Sequence, residues 1–212
     1  MFKQRLSKRL TSLAGVTALA ASAAATFGFA GGAGADVKHT SFEIGRSAAS
    51  IAANCLPGAE ADVRITSVGQ VEVMKVRASH LPRNTDFDLF VIQVPNAPFG
   101  ISWYQGDLNT DSTGHAEGTF IGRFSIETFA VAPGVAPAPQ TISGAVQDAS
   151  QNPPFNPVQM YHLGLWFNSP KDAVAAGCSG ATTPFNGEHN AGVQALSTRT
   201  SPDNFGPLRA IH

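Results

Sequence analysis

Residues 81–124, LPRNTDFDLFVIQVPNAPFGISWYQGDLNTDSTGHAEGTFIGRF, carry the pattern that decides the fold. Leu81-Pro82 opens the stretch with a bend. From Asp86 the chain alternates: Phe87, Leu89 and Val91 share one face, and Asp86 and Asp88 the other. The polar face then turns apolar with Phe90, Ile92 and Val94. Alternation that merges into a run apolar on both sides predicts a strand that begins at an edge and ends buried. Pro95 stops it, because proline has no N–H to give the ladder. A second strand is expected over 101–105, carrying Trp103 and Tyr104, then a polar turn over 109–114 and a third strand over 115–124. There Ala116, Gly118, Phe120, Gly122 and Phe124 form one face. His115, Glu117, Thr119 and Arg123 form the other, with Ile121 as the exception. The expectation is an antiparallel meander with one packed face.

Upstream, 61–67 alternates with Val63 and Ile65 inward, and 71–78 follows after a Gly69-Gln70 turn. The second strand changes phase, Val71 and Val73 facing one way and Met74, Val76 and Ala78 the other, so a bulge is expected between them. Phe42 and Ile44 fit an edge strand and 47–53 a short helix, with no means to choose between them. Downstream, 125–131 continues as strand, and 132–139 (APGVAPAP) is an extended Pro/Ala-rich connector within a long loop over 132–158. QMYHLGLWF at 159–167 is apolar on both faces, hence central. Ser169 caps a short helix over about 170–176, with Pro170 at its first position, Asp172 two residues later and Gly177 ending it. A last strand over 191–199 and a tail over 200–212 complete the chain. Seven to nine strands and one short helix predict an all-β, immunoglobulin-like or Greek-key β-sandwich, a single domain over 36–212.

Composition agrees. The 212 residues include 14 Phe, enough for a core, and 35 Gly and Pro together, ordinary for a loop-rich β fold. Lys3, Arg5, Lys8 and Arg9, an apolar stretch of small residues over 13–30 and Ala33-Gly34-Ala35 predict a secretory signal peptide over 1–35, cleaved after Ala35, and a secreted protein. Lys8-Arg9 is not a twin arginine, and no later segment is long and apolar enough to span a bilayer. All 15 acids and ten of the 14 basic residues lie beyond position 35, a balance of −5. A mildly acidic chain without basic runs argues against nucleic acid and anionic membrane as partners. The two cysteines, Cys55 and Cys178, are expected to pair in an oxidising compartment.

Residues 81–91, LPRNTDFDLFV, resemble the loop-to-strand corner of fibronectin type III and related immunoglobulin-like domains, where a leucine, a Pro-containing bend and Thr-x-Tyr precede an alternating strand. Leu81, Thr85 and Phe87 match that spacing, but Phe87 replaces the tyrosine whose hydroxyl ties the corner. The chain beyond residue 35 also resembles small exported proteins of high-GC Gram-positive bacteria, in which a segment like DLFVIQVPNAPFGISWYQGDL recurs. That resemblance implies export and this fold, and no activity.

Candidate chemistry is sparse. Asp107, Asn109 and Asp111 have the D-x-N-x-D opening of a calcium loop, but Ser112 and Gly118 stand where glycine and a bidentate acid are needed. A hairpin turn is the plainer expectation, and no metal is assigned. His115 and Glu117 lie two apart on one face and, with His80, His162 or His189, could build a metal site or an acid–base pair; the alternative hydrolase uses Glu117 or Asp107 with His115. The loop at 183–190 is dense in polar groups. Trp103, Tyr104, Tyr161 and Trp166 make an aromatic platform for sugars only if two share an exposed face; core packing is the expectation. No cofactor is expected. The functional expectation is a non-enzymatic binding or structural protein of the cell envelope or extracellular space, its partner a cell-envelope glycan or protein. The alternatives are a secreted hydrolase and a calcium-stabilised structural protein.

Overall fold

A computed structural model describes residues 38–130, 158–178, 182–185 and 189–212 of the unit spanning Asp36–His212. The expected signal peptide with its cleavage position, the Pro/Ala-rich connector and residues 186–188 of the polar loop lie outside the described residues.

The chain is all-β. In order come β1 (His39–Arg46), α1 (Ala48–Ala52), β2 (Glu60–Val68), β3 (Val71–Ser79), β4 (Phe87–Ile92), β5 (Ser102–Asp107), β6 (Ala116–Gly122), β7 (Phe129–Ala130), β8 (Val158–Gln159), β9 (His162–Phe167), α2 (Pro170–Ala175), β10 (Thr183–Pro184), β11 (Asn190–Ala191) and β12 (Gln194–Ser197), followed by a 3-10 turn at Pro207–Ala210. Eight strands make one sheet in the order β5-β4-β9-β12-β1-β2-β3-β6, every neighbour antiparallel. β7 pairs with β8, and β10 with β11.

The long sheet bends until its edges meet, which gives the sandwich-like fold two facing layers. A Cβ placed on Gly106 of β5 would lie 2.8 Å from Phe120 Cε1 of β6, and one on Gly118 of β6 2.8 Å from Leu108 Cδ1. Side chains therefore close this seam, where no ladder joins the edges. The inward faces enclose a core that includes Ile44, Val63, Ile65, Met74, Val76, Phe87, Leu89, Val91, Leu163 and Leu165. Across β4 and β9 the outer face is packed too: Ile92, Trp166 and Ala191 form a second cluster with Phe90, Phe99 and Phe185. That is why β4 and β9 read as apolar on both faces.

Four expectations are corrected. The meander stops after one hairpin: β6 pairs with β3, not β5, since the loop from 108 to 115 carries it to the opposite edge. β3 has no bulge; its register with β2 is unbroken from Val71 to Ser79. The apparent phase change arises because the inward position is Glu72, 5% exposed, whose Oε2 accepts a hydrogen bond from Phe124 N (2.8 Å). Val71 and Val73 face outward, and a buried acid in the apolar phase hides the alternation. β1 is an interior strand between β12 and β2, not the edge strand expected, and the short helix α1 follows it, so strand and helix occur together. The strand expected over 125–131 shrinks to β7, because Ser125 to Thr128 close a turn (Thr128 N to Ser125 O, 2.9 Å).

The Ser169 cap stands as expected: its Oγ accepts from Asp172 N (3.1 Å) and donates to Asp172 Oδ2 (2.7 Å). Ser47 caps α1 in the same way, accepting from Ser50 N (3.0 Å). Each helix delivers one cysteine just past its end, and Cys55 and Cys178 form a disulfide with Cα atoms 5.3 Å apart. The C-terminal segment is part of the structure. Leu208 and Ile211 are buried, Ile126 N donates to Ile211 O (2.8 Å), and Lys38 Nζ donates to His212 O (2.7 Å).

Candidate functional site

The corner at 81–88 aims β4, and Thr110 holds that corner. Its hydroxyl accepts from Thr85 N (2.9 Å) and donates to Pro82 O (2.6 Å). A buried threonine from the following loop thus bridges the bend at which Phe87 has no hydroxyl to offer.

β4 leaves this corner with Phe87, Leu89 and Val91 in the main core. Asp88 and Phe90 therefore face outward, and cross-strand partners on β5 face the same way: Asp107 opposite Asp88, and Tyr104 opposite Phe90. Tyr104 and Asp107 are three apart, so plain alternation would split them between faces. The register shift between Leu89 and Phe90 inserts one extra residue on β5 and brings both to one side. Tyr104 Oη donates to Asp107 Oδ1.

Asn168, just past β9, and His189, just before β11, close the group. The Asn168 amide turns its nitrogen toward Asp88 Oδ1 (3.2 Å), Asp88 Oδ2 (3.3 Å) and His189 Nε2 (3.0 Å), the orientation these acceptors demand. The Phe185 ring packs on His189 (4.8 Å), on Phe90 (5.7 Å) and on Tyr104 (5.3 Å, edge to face). Together Asp88, Phe90, Tyr104, Asp107, Asn168, Phe185 and His189, with Ser102, line an open cleft of about 460 Å³.

The electrostatics are lopsided. Asp88 is 1% exposed, and burial first, then the facing Asp107, push its carboxyl up to about 6, with His189 pulling the other way. Burial and the Asp107 carboxylate hold the Tyr104 phenol well above its ordinary range, so it remains a hydrogen-bond donor. The ion pairs among the described residues, Arg77–Glu117 and Arg123–Glu127, lie elsewhere. The cleft joins two carboxylates to aromatic rings and an amide: it can stack on a ring, hydrogen-bond hydroxyls and attract positive charge.

The residues singled out from sequence fall in different places. Asp107 is in the cleft. Asp111 is not: its Oδ1 accepts from Thr113 N (2.7 Å), Thr113 Oγ1 (2.6 Å) and His115 N (3.1 Å). Those bonds hold its carboxyl down at about 2 and make it the cap of a tight turn. Asn109 is an exposed position of the same turn, and no group of three or more His, Cys, Asp or Glu suited to a metal occurs among the described residues. His115 Nδ1 meets Thr113 Oγ1 (2.9 Å), while Glu117 pairs with Arg77 (3.1 Å), so Asp107, His115 and Glu117 each have a separate partner. His80 meets Ser79 Oγ (3.0 Å), and His162 is buried between Thr198 Oγ1 (2.8 Å) and Asp203 O (3.0 Å). Of the aromatics, Tyr104 is 46% exposed, while Trp166 and Tyr161 are buried and Trp103 packs partly against the main core.

Asp88, Asn168 and Phe185 were not singled out from sequence. Asp88 reads as the polar phase of an edge strand, and the approach of Asn168, Phe185 and His189 on that face accompanies its burial. Compared with known proteins, the chain matches no family model, no curated protein and no solved structure.

Proposed function

We propose that this chain is an exported, non-enzymatic binding module of the cell envelope or extracellular space, and that the cleft between β4, β5, Phe185 and His189 is its ligand seat. The observation that carries this reading is the single cleft in which Tyr104 and Phe185 stand edge to face beside the polar atoms of Asp88, Asp107 and Asn168. Aromatic faces offer stacking area for a sugar ring, and fixed acceptors and an amide offer partners for its hydroxyls. A disulfide accords with an oxidising compartment. The test is glycan-panel binding by the chain from Asp36 onward, with Tyr104→Ala as control. Binding of an envelope sugar that Tyr104→Ala weakens about tenfold, near 1.4 kcal/mol, supports the reading. Silence across the panel overturns it.

One observation favours a second reading. The Asp88 carboxyl, pushed up to about 6, faces a second acid in the same cleft. Two carboxyl groups in unlike surroundings are the usual means of acid–base hydrolysis of a glycosidic bond. In that case the acid–base pair is Asp88 and Asp107. Release of reducing ends near pH 6, lost in Asp88→Asn, would establish it; no release from a substrate that binds would exclude it.

A further inference from the structure

We propose that the ligand of this cleft carries a free protonated amine on a sugar ring: an amino sugar whose nitrogen is not acylated. The inference rests on the binding-module reading and names the ligand class for that seat. Its ground is a pair of facing acids set against the single His189 imidazole in one cleft. Asp88 and Asp107 are register partners on adjacent antiparallel strands, so their Cβ atoms stand roughly 5 Å apart on one face. Like charges directly opposite oppose pairing of the strands. Burial removes from Asp88 most of the water that would soften this. Neither acid takes part in the ion pairs found among the described residues. The groups beside them are Asn168 on Asp88, Tyr104 on Asp107, and His189, which meets the Asn168 amide and draws the Asp88 carboxyl down.

A cation seated between the two carboxylates would add to the balance that His189 alone begins. The walls narrow the kind of cation. Phe90, Tyr104 and Phe185 pack edge to face on one another at ring-centre spacings of 5.3 to 5.9 Å, and the fixed aromatic wall they make suits the C–H face of a pyranose and the ammonium beside it. The Asn168 amide and the Ser102 hydroxyl at the rim suit ring hydroxyls. A bare metal ion is a poor match, since the described residues hold no three-ligand set. A peptide ammonium has the charge but no ring to stack.

The test compares three probes by calorimetry on the chain from Asp36 onward: a glucosamine tetramer, an N-acetylglucosamine tetramer and tetralysine. The glucosamine tetramer should bind about tenfold or more tightly than its N-acetylated form, the factor supplied by a hydrogen bond to a charged group. The advantage should fade between about 0.01 M and about 1 M salt as the charges are screened. Asp107→Asn, at an exposed position that keeps an acceptor for Tyr104, should fold normally and lose the advantage; Asp88→Asn should do the same. Equal binding of both sugar tetramers would overturn the amine while leaving the binding module intact. Tetralysine binding as tightly as the glucosamine tetramer would overturn the sugar ring. If none of the three binds while another glycan of the panel does, the inference falls and the module stands.

Discussion

Asp88 of β4 and Asp107 of β5 face each other across one strand pair, a buried acid opposite an exposed one. The arrangement has a cost in the folded state, and the cost is readable as a pH dependence. The Asp88 carboxyl lies at about 6 in the fold against 3.8 when unfolded. Between those values the native chain binds more protons than the unfolded one, so stability falls as pH rises from about 4 to about 6 and stays low above. Asp88→Asn removes the charge. It should be more stable than the parent at pH 7 by on the order of 2 kcal/mol, with a correspondingly higher melting point, and the two should converge near pH 3.5. Melting curves at the two pH values decide this; an advantage that persists at low pH would point to another cause.

His162 produces the opposite slope. Burial between Thr198 and the Asp203 carbonyl holds its imidazole below the ordinary 6.5. The unfolded chain then binds the extra proton, so stability is full above 6.5 and is lost as pH falls toward the lowered value. Because Asp88 tilts the same window the other way, the measurement belongs in an Asp88→Asn background. There, denaturation midpoints should drop on going from pH 7 to pH 5, and His162→Gln should flatten the drop.

Glu72 and Phe124 join β3 to the strand-end beyond β6 through one buried hydrogen bond of 2.8 Å. Glu72→Gln keeps an acceptor for the Phe124 N–H and should be close to neutral. Glu72→Val improves the apolar pattern but leaves that N–H unpaired, which costs about 1–3 kcal/mol. Urea titration of both variants separates the two contributions. A valine variant as stable as the parent would show that the bond has no net weight.

Thr110 bonds to both sides of the bend at 82–85, and its replacement by valine keeps the shape while removing both contacts. The expected loss is about 1–3 kcal/mol, with faster amide exchange at Thr85 than at core strands. Exchange that leaves Thr85 as protected as before would contradict its role at the corner.

The Cys55–Cys178 disulfide spans 123 residues and staples the ends of α1 and α2. By the chain-entropy relation, paired Cys→Ser replacement should destabilise the fold by roughly 4–5 kcal/mol. Equilibrium unfolding of parent and variant measures it directly.

Much of this architecture is legible in local sequence, because a strand's face pattern and a helix cap depend on residues two or three apart. The alternation of β2 and β4, the two-sided apolar run of β9 and the Ser169 cap all follow from that short range. So does the outward exception at Ile121, which is 67% exposed. Two cysteines in the whole chain likewise leave one pairing to expect.

What a strand lies beside is another matter. That β9 and β12 enter the middle of the sheet and β6 joins β3 is set by closing one core from segments far apart in the chain. The cleft depends on that closure and on a single extra residue in β5, which rotates Tyr104 onto the side of Asp107. Asp88 becomes a buried acid only when Asn168, Phe185 and His189 close on its face of the sheet. Short-range pattern reports the preference of each residue for water or core; which residues share a water-poor space is decided when the whole chain packs.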